Sequence, residues 1–262
     1  MPEPLIDLTD RVAIVTGGGK GIGGAISKRL ASLGAQVAVF EVDESAAASV
    51  VAEICEADGT AQAITCDVSN TASVAAAFEK TASVLGPPTV LVNNAGVAHI
   101  GTAETTEEAD FDRVYAVNVK GVFLCTQAAI PHMREAGGGS IVNIASIAGM
   151  LGLPERFAYS ATKGAVLAMT YTTARDFLAN NIRCNSVSPA RVHTPFVDGY
   201  LARTYPGREA EMFEHFAQTQ PIGRMGTPDE IATLVAYLAS DASAFMTGTN
   251  VPIDGGFVRL NT

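Results

Sequence analysis

The chain has 262 residues, of which 48% are hydrophobic and 17% charged, a length and composition that suit one large folded domain and exclude intrinsic disorder. Its formal net charge of −10 and its scattered Lys and Arg residues argue against nucleic-acid partners, which require clustered positive charge. The four cysteines form no CxxC pair and the four histidines show no ligand spacing, so we expect no metal site.

The first residues, MPEPLIDLTD, lack the charged and apolar regions of a signal peptide. Longer uncharged stretches are interrupted by proline and asparagine, so none of them predicts a membrane span. Scattered cysteines without disulfide-type spacing are typical of a reducing compartment. We therefore expect a cytoplasmic protein with neither a membrane nor a nucleic acid among its partners.

Short apolar runs and helical patterns alternate along the whole chain. The runs that predict strands lie at 12–16, 36–41, 61–67, 89–93, 140–145, 183–188 and 250–253. Because helical patterns separate these runs, the chain predicts right-handed βαβ units. We therefore expect an α/β fold of the doubly wound Rossmann type, in which a seven-stranded, mainly parallel sheet carries helices on both faces.

The first predicted strand leads into a glycine-rich stretch, TGGGKGIGG, at 16–24. Glycine packs no side chain, so such a cluster indicates either a flexible loop or a backbone that lies close against a ligand. A helical pattern follows, and its N-terminus is expected to bind the diphosphate of a dinucleotide. The stretch satisfies two overlapping motifs, GxGxxG through Gly19, Gly21 and Gly24, and TGxxxGxG through Thr16, Gly17, Gly21 and Gly23.

The second predicted strand ends in Glu41, at about the 20-residue distance from the glycine cluster that dinucleotide-binding units show. A carboxylate at this position is expected to accept hydrogen bonds from the hydroxyls of the adenosine ribose and to repel a 2′-phosphate. Lys20, within the cluster, argues the other way, because an ammonium would attract that phosphate. We expect NAD to be the cofactor, with NADP as the alternative.

Tyr159 and Lys163 stand four residues apart in AYSATKGA, so on a helix both side chains face the same side. The preceding strand pattern ends near Ser146, and NNAG at 93–96 follows another strand. The carboxyl ends of parallel strands meet at one edge of the sheet, where a doubly wound fold binds its ligand. These residues are therefore expected to converge there. Asn118 falls within a helical pattern, where asparagine indicates a kink or a special role.

The interval at about 191–223 interrupts the alternation. It contains prolines, glycines, aromatic residues and mixed charge but no strand pattern, and it is expected to form short helices. An insertion at the carboxyl end of a strand lies beside the ligand in such folds, so the interval is either a substrate lid or a packing excursion. No linker or repeat pattern divides the chain, and we expect residues 1–262 to form one Rossmann-type domain.

Together these motifs resemble the short-chain dehydrogenase/reductase family, and the resemblance covers essentially the whole chain. The chain departs from the family pattern in SPAR, where Ala190 and Arg191 replace the usual glycine and a variable residue after the proline. The features that match in order and spacing are TGGGKGIG, Asp67-Val68, NNAG, Asn118, Ser146, the Tyr159 and Lys163 pair, the NSVSP strand, PIGRMGTPDEIA and the closing IDGG.

The resemblance implies a reaction in which Tyr159 is the general acid in reduction and the general base in oxidation. It implies that Lys163 lowers the pKa of the phenol, together with the positive charge of the oxidised nicotinamide, and that Lys163 hydrogen-bonds the nicotinamide ribose. Ser146 would hold and polarise the substrate oxygen. Asn118 would help to position a water that links Lys163 to solvent.

By the same resemblance, the cofactor is expected to lie against residues that follow several of the predicted strands. Asp67 and Val68 would flank the adenine, or would otherwise form an ordinary strand end. The expected cofactor-binding residues are Gly17, Lys20, Gly21, Ile22, Gly23, Glu41, Asp67, Val68, Asn94, Ala95, Gly96, Tyr159, Lys163, Val192 and Thr194.

Two arginines are candidates for substrate binding beside Ser146 and Tyr159. Arg156 precedes Tyr159 by three residues, so its side chain either reaches the substrate or pairs with Glu155 at the surface. Arg191 adds a second cation near the nicotinamide end. A guanidinium suits a carboxylate, and a family branch that acts on small hydroxy or keto acids, including deoxy-keto sugar acids, is similar at Arg156.

We expect an NAD-dependent oxidoreductase that interconverts a secondary alcohol and a ketone, with a sugar, polyol or sugar acid such as a deoxy-keto sugar acid as its small-molecule substrate. The alternative is an NADPH-dependent 3-oxoacyl-acyl-carrier-protein reductase, because PIGRMGTPDEIA and IDGG resemble those enzymes equally. A third hypothesis is a nucleotide-binding sensor without turnover. Relatives are commonly homotetramers, with the helices that bear Asn118 and Tyr159 at one interface and the C-terminal strand region at another.

Overall fold

The structure is a computed structural model and describes residues 6–260. Within that range it contains one parallel sheet of seven strands in the order β3-β2-β1-β4-β5-β6-β7. The sheet grows outward in both directions from β1 and β4, which confirms the predicted doubly wound α/β fold. The strands are β1 (Val12–Thr16), β2 (Gln36–Glu41), β3 (Thr60–Thr65), β4 (Val90–Asn93), β5 (Gly139–Ile144), β6 (Ile182–Pro189) and β7 (Asn250–Ile253).

Ten α-helices connect or follow the strands within residues 6–260, and none of them is long and apolar enough to cross a membrane. The helices are α1 (Gly21–Ser32), α2 (Glu44–Glu56), α3 (Thr71–Val84), α4 (Glu108–Tyr115), α5 (Gly121–Glu135), α6 (Phe157–Asp176), α7 (Pro195–Thr204), α8 (Glu209–Gln218), α9 (Pro228–Ala239) and α10 (Phe257–Leu260).

Two hydrophobic cores cover the two faces of the sheet. In β1, Ala13 and Val15 belong to the core that includes residues of α1, α2 and α9, whereas Ile14 belongs to the core that includes residues of α3 and α5. All three side chains are fully buried. Burying a Val or Ile side chain contributes about 1.5–3 kcal/mol, so both faces favour apolar residues at every strand position. This double burial explains why the strands read as continuous apolar runs.

The third predicted strand extended through Asp67, but β3 ends at Thr65. The Asp67 carboxylate accepts hydrogen bonds from the Ser69 backbone N–H at 2.9 Å and from its hydroxyl at 2.7 Å. An aspartate that binds the backbone two residues ahead forms a turn instead of continuing a strand. Asp67 therefore lies in the loop beyond the sheet edge, where it is available to a ligand.

The interval at 191–223 contains α7 and α8 and, as the sequence suggested, no strand. Leu201 of α7 and Phe216 of α8 pack with Met225 in a separate apolar cluster, against which several partly buried tyrosine, phenylalanine and methionine side chains lie. A parallel bridge between Val192 and Gly226 closes the base of the interval. The insertion is thus a folded unit that begins directly after β6.

Candidate active site

A cavity of about 840 Å³ opens where β1, β2, β3, β4, β5 and β6 end. Every residue predicted to take part in catalysis or to bind cofactor or substrate lines this cavity, except Asn118 and Arg156. The loops that follow successive strands therefore converge as the topology predicted. Among residues 6–260, no group of three or more His, Cys, Asp or Glu side chains is arranged to hold a metal ion.

In the glycine loop after β1, backbone segments pack closely against each other and also line the cavity. Gly17 and Gly21 have φ of +60° and +51°, a conformation that favours glycine. A Cβ atom at Gly23 would overlap the carbonyl oxygen of Gly17. Gly17, Gly21 and Gly23 line the cavity, whereas Gly19 and Gly24 do not. Of the two overlapping motifs, TGxxxGxG is therefore the one that shapes the wall of the cavity.

The loop after β4 fastens this glycine loop from the neighbouring strand. The Asn94 side chain donates to the carbonyl oxygens of Thr16 at 2.9 Å and Gly17 at 3.0 Å. In return, the Thr16 hydroxyl accepts from the backbone N–H groups of Asn94 at 2.9 Å and Ala95 at 3.0 Å. These four bonds hold NNAG against the glycine turn, so the two loops form one wall.

Carboxylates surround the end of the cavity near β2. The Glu41 side chain accepts from the backbone N–H of Val42 at 2.9 Å and from that of Gly19 at 3.3 Å. Lys20, which the sequence offered as a partner for a 2′-phosphate, forms an ion pair with Asp43 at 2.5 Å. Its ammonium lowers the pKa of the Asp43 carboxyl chiefly through the hydrogen bond between them. The one cation of the glycine loop is thus already neutralised.

Tyr159 and Lys163 lie one turn apart near the start of α6 and both line the cavity. The Lys163 Nζ lies 5.7 Å from the centroid of the Tyr159 ring. It donates a 2.7 Å hydrogen bond to the carbonyl oxygen of Ile144, the last residue of β5. Ser146 follows two residues later, and its Oγ caps a short turn by accepting from the Ala148 N–H at 3.1 Å. The end of β5 therefore fixes both Lys163 and Ser146.

Burial shifts the pKa values of both members of this pair. Burial raises the pKa of the Tyr159 phenol above 10.0, although the Ser146 hydroxyl and the charge of Arg156 oppose that rise. Burial also lowers the pKa of Lys163 to about 8. Desolvation is thus the largest effect on both groups in the chain without its cofactor, and the lowering of the phenol pKa by Lys163 together with the oxidised nicotinamide stays a prediction.

Asn118 lies behind the cavity wall, where its amide is hydrogen-bonded inside the protein. Its Oδ1 accepts from the Val97 N–H at 2.8 Å, and its Nδ2 donates to the Val97 carbonyl at 2.9 Å and to Thr162 Oγ1 at 3.1 Å. It is completely buried within a π-helical turn, Ala116–Lys120, between α4 and α5. The predicted irregularity is thus present. π-Turns inside α-helices occur frequently at functional sites.

The two candidate arginines have different positions. Arg191 lines the cavity, and its guanidinium carbon lies 4.1 Å from the ring centroid of Phe216 in α8. Arg156 lies beyond the lining and donates from Nη1 to the carbonyl oxygen of Glu155 at 3.1 Å. The predicted alternative, a pair between Arg156 and the Glu155 carboxylate, is therefore replaced by a bond to the backbone of that residue.

Sequence reasoning missed the apolar part of the wall. These residues belong to the insertion or flank the strand ends, and no local spacing distinguishes them from ordinary core residues. For Pro195, Phe196, Val197 and Phe216 alone, their place in the predicted insertion beside the sheet edge signalled a contact. The additional lining residues are Val42, Cys66, Val97, Ala98, Val117, Ile144, Ala145, Pro189, Ala190, Pro195, Phe196, Val197, Phe216 and Met225.

Lys163→Met should change how stability depends on pH. Lys163 loses a proton at a pKa of about 8 in the folded chain and near 10.5 when unfolded. Between these pH values the unfolded state binds more protons than the folded state. The wild-type free energy of unfolding therefore increases as the pH rises through this range. The penalty on the buried charge is roughly 3 kcal/mol below pH 8. Urea unfolding at pH 7 and pH 10 should show a variant advantage that shrinks with pH; a constant difference would contradict the assignment.

The residues present fit a nicotinamide dinucleotide. A turn that excludes side chains at Gly23 leaves backbone room for a diphosphate at the N-terminus of α1, and the Glu41 carboxylate suits ribose hydroxyls. At the other end of the same cavity stand Ser146, Tyr159 and Lys163, a hydroxyl, a phenol and an amine. Fold and site together define a nicotinamide-dependent oxidoreductase of the Rossmann type.

Comparison with known proteins agrees with this class. The family described as "Enoyl-(Acyl carrier protein) reductase" matches residues 17–258. The chain is 37% identical to 2-(S)-hydroxypropyl-CoM dehydrogenase 3 of Xanthobacter autotrophicus, covering 97% of this chain and 98% of that protein. It is 38% identical to D-threitol dehydrogenase of Mycolicibacterium smegmatis, covering 95% and 94%. The crystal structure of a levodione reductase superposes with a TM-score of 0.91 at 35% identity, covering 95% and 98%.

The chain belongs to the short-chain dehydrogenase/reductase family. It is an oxidoreductase that acts on CH–OH groups with a nicotinamide cofactor.

Proposed function

We propose that the protein is an NAD-dependent oxidoreductase that interconverts a secondary alcohol and a ketone on a small polyol, sugar or sugar acid. The observation that carries the proposal is that Ser146, Tyr159 and Lys163 line the same cavity as the glycine turn. The threitol dehydrogenase among the relatives supports a polyol-type substrate. The polar groups at the reactive end suit a hydroxylated substrate, while Phe196, Phe216 and Met225 shape its apolar side.

In this proposal Tyr159 moves the proton and Ser146 holds the substrate oxygen. When bound, the nicotinamide ring supplies the hydride or accepts it. The Tyr159 hydroxyl donates a proton to the oxygen in reduction and takes it back in oxidation. Ser146 and Tyr159 both line the cavity, which supports their contact with one substrate oxygen. Lys163, fixed by the Ile144 carbonyl, places its positive charge beside the phenol.

We propose that Asn118 acts through a water and does not touch the substrate. A Cβ at Gly96 would lie 3.3 Å from Asn118 Oδ1 and 3.7 Å from Lys163 Nζ, so both atoms border the space beside that glycine. A water there would accept from Lys163 and donate to Asn118. The hydrogen bonds from Asn118 to Thr162, and from Thr162 to the Tyr159 carbonyl at 2.7 Å, tie this region to the helix that carries the phenol.

The remaining cofactor assignments follow the order of the strand ends. Asp67 and Val68 are proposed to flank the adenine, and the loop after β6 to hold the nicotinamide end. All of these residues line the cavity, which supports the assignment. The proposed cofactor-binding set is Gly17, Lys20, Gly21, Ile22, Gly23, Glu41, Asp67, Val68, Asn94, Ala95, Gly96, Tyr159, Lys163, Val192 and Thr194.

The proposed preference for NAD rests on charge. Glu41 lines the cavity at the end of β2, where its carboxylate would repel a 2′-phosphate, and Asp43 beside it already pairs with Lys20. The glycine loop therefore offers no free cation to offset the repulsion between the Glu41 carboxylate and a 2′-phosphate. The alternative, an NADPH-dependent 3-oxoacyl-acyl-carrier-protein reductase, draws on the resemblance of PIGRMGTPDEIA and IDGG to those enzymes. The net charge of −10 opposes docking of an acidic carrier.

Asp43→Asn should improve the use of NADP⁺ by freeing Lys20. Asparagine still caps α2, which Asp43 now does by accepting from Ser45 and Ala46 N–H groups. A charge-assisted hydrogen bond to the 2′-phosphate should raise kcat/KM for NADP⁺ by about tenfold or more. Glu53→Gln is the matched control, because it breaks the comparable exposed pair between Lys28 and Glu53. It should leave kcat/KM unchanged for both NAD⁺ and NADP⁺. A wild-type protein that prefers NADP⁺ would overturn the assignment.

We propose that the insertion at about 191–223 is a substrate lid and that residues 1–262 form one domain. We further propose that the protein is cytoplasmic and assembles as a homotetramer. Large apolar side chains on α4, α5 and α6 remain about half exposed, which supports an interface formed by these helices: Tyr115, Phe123, Phe157 and Tyr171. Phe245, fully exposed before β7, supports a second interface at the C-terminal strand. Sedimentation analysis tests the assembly; a monomer would contradict it.

The substrate class is tested by screening sugars, polyols and sugar acids for oxidation with NAD⁺. The formation of NADH is the measured signal. Acetoacetyl thioesters with NADPH form the opposing arm. Oxidation of a polyol or sugar acid supports the proposal. Reduction of the thioesters together with inactivity on all the alcohols would favour the acyl-carrier-protein reductase instead.

A further inference from the structure

The insertion at about 191–223 is packed separately from the two cores that cover the sheet. Its helices α7 and α8 surround their own apolar cluster, which contains Leu201, Phe216 and Met225. Among the residues that the structure describes, neither helix contributes a side chain to the two sheet cores. A unit that shares so little buried surface with its scaffold can move at small cost. Its position over the cavity therefore depends on the contacts at its base.

The segment that leads into the insertion is anchored to the body of the protein. Val192 is buried in the core that includes residues of α1, α2 and α9, and it lines the cavity together with Thr194. The Gly226 N–H donates to the Arg191 carbonyl at 2.9 Å, and the His193 N–H donates to the Gly226 carbonyl at 2.9 Å. Because the backbone is held on both sides of Val192, this segment is a fixed base for the two helices.

His193 contacts both helices from this base. Its side chain does not line the cavity. Its Nε2 donates to Oδ1 of Asp198, in the first turn of α7, at 2.8 Å. The centroid of its ring lies 4.9 Å from that of Phe213 in α8, and the two rings are nearly perpendicular at 81°. This edge-to-face arrangement is one that aromatic pairs favour. One imidazole thus joins the base to α7 and to α8.

Phe213 connects His193 to the wall of the cavity. It precedes Phe216 by three residues on α8, so the two rings are neighbours on one face of the helix. Phe216 is buried and lines the cavity that also contains Ser146 and Tyr159, and Phe213 packs against the cluster to which Phe216 belongs. A shift of α8 relative to His193 would therefore move one wall of that cavity.

We propose that His193 is a positioning residue that fastens α7 and α8 to the base segment and so sets the position of the cavity wall at Phe216. This inference rests on the proposed function, in which Val192 and Thr194 bind the cofactor and the insertion covers the substrate. Cofactor binding at the base segment would be transmitted through the imidazole to the wall that the substrate contacts. His193 itself would touch neither cofactor nor substrate.

Hydrogen exchange measured by mass spectrometry tests the attachment without turnover. In His193→Ala, the amides of α8 should exchange about three- to thirtyfold faster than in the wild type, because both contacts to the helices are lost. The amides of β1 and α9 should exchange as in the wild type, whereas a general loss of stability would accelerate them too. His215→Ala is the matched control, because His215 is an exposed residue of α8, and exchange in the rest of that helix should not change.

Two further variants separate the two contacts. His193→Gln keeps a donor for Asp198 but loses the ring, and Phe213→Leu keeps an apolar side chain in the cluster but loses the aromatic partner. Both should accelerate exchange in α8 and leave α7 close to the wild type. The double variant should add little to either single change, because both remove the same interaction. Unchanged α8 exchange in His193→Ala, or fully additive effects in the double variant, would overturn the inference.

Titration with NADH separates this inference from the proposed function. NADH should slow exchange in α8 of the wild type, and this protection should fall in His193→Ala, although the dissociation constant for NADH stays within about twofold. The KM for the best alcohol in the oxidation screen should rise about three- to tenfold while kcat stays within about twofold. Faster α8 exchange without oxidation of any alcohol would support the attachment and contradict the proposed function alone. Equal protection by NADH in both proteins would refute the transmission.

Discussion

Tyr159→Phe should lower turnover by roughly 10²- to 10⁴-fold, the range that general acid–base catalysis contributes. The variant removes only the hydroxyl, and the ring keeps its place on the cavity wall. Affinity for NADH should therefore remain within about twofold of the wild type. Tyr171→Phe is the matched control, because Tyr171 lies on the same helix with its side chain about half exposed. Stopped-flow turnover and NADH fluorescence titration provide the two measurements.

The pH profile gives this prediction a second readout. Burial raises the pKa of the phenol, so the phenolate needed to accept the alcohol proton becomes more abundant as the pH rises through neutrality. Wild-type oxidation should accelerate with pH, and that rise should be absent from the residual activity of Tyr159→Phe. Full activity in the variant would show that turnover does not need the Tyr159 hydroxyl and would remove Tyr159 from the mechanism.

Gly23→Ala should damage both stability and cofactor binding. The new Cβ would overlap the Gly17 carbonyl oxygen, a backbone atom that cannot rotate away as a side chain would. Overpacking of this kind costs about 1–3 kcal/mol in the free energy of unfolding. Because Gly17 and Gly23 both line the cavity, the shift also distorts the proposed diphosphate site. Binding of NADH should weaken by more than about tenfold, as measured by fluorescence titration.

Gly24→Ala is the control, one residue further along α1. A Cβ there meets nothing closer than Val50 Cγ2 at 3.5 Å, an ordinary contact. Alanine in a helix interior is more stable than glycine by roughly 0.5–1 kcal/mol, so this variant should unfold at higher urea concentration and bind NADH normally. Similar behaviour of the two variants would show that the crowding at Gly23 has no consequence.

The fold was predictable because its signals are local and repeated. Apolar runs such as 12–16 and 36–41 coincide with β1 and β2, since residues buried on both faces of a parallel sheet must all be apolar. Strand ends were harder, because they depend on turns made by single side chains. The apolar run predicted a strand that ends at residue 67, but β3 ends at Thr65 because the Asp67 side chain forms a turn.

The candidate site was predictable in its members but less so in their interactions. Motif spacing and the family resemblance identified the glycine turn, the strand-end residues and the tyrosine–lysine pair that line the cavity, but not its apolar wall. Spacing does not tell which group an amide or an ammonium will bind by a hydrogen bond. The burial of Asn118 and the hydrogen bond from Lys163 to Ile144 were therefore not predicted. The pKa of Tyr159 depends on desolvation by distant segments, which no local pattern reports.

The hydrogen bonds between Thr16 and Asn94 have a consequence for biosynthesis. The two residues are separated by 78 positions in the chain, yet each fixes the backbone of the other. A nascent polypeptide that has emerged only through α1 possesses the glycine turn but not its brace. We therefore expect the turn to be held in its dinucleotide-binding shape only once β4 has been translated and has docked beside β1.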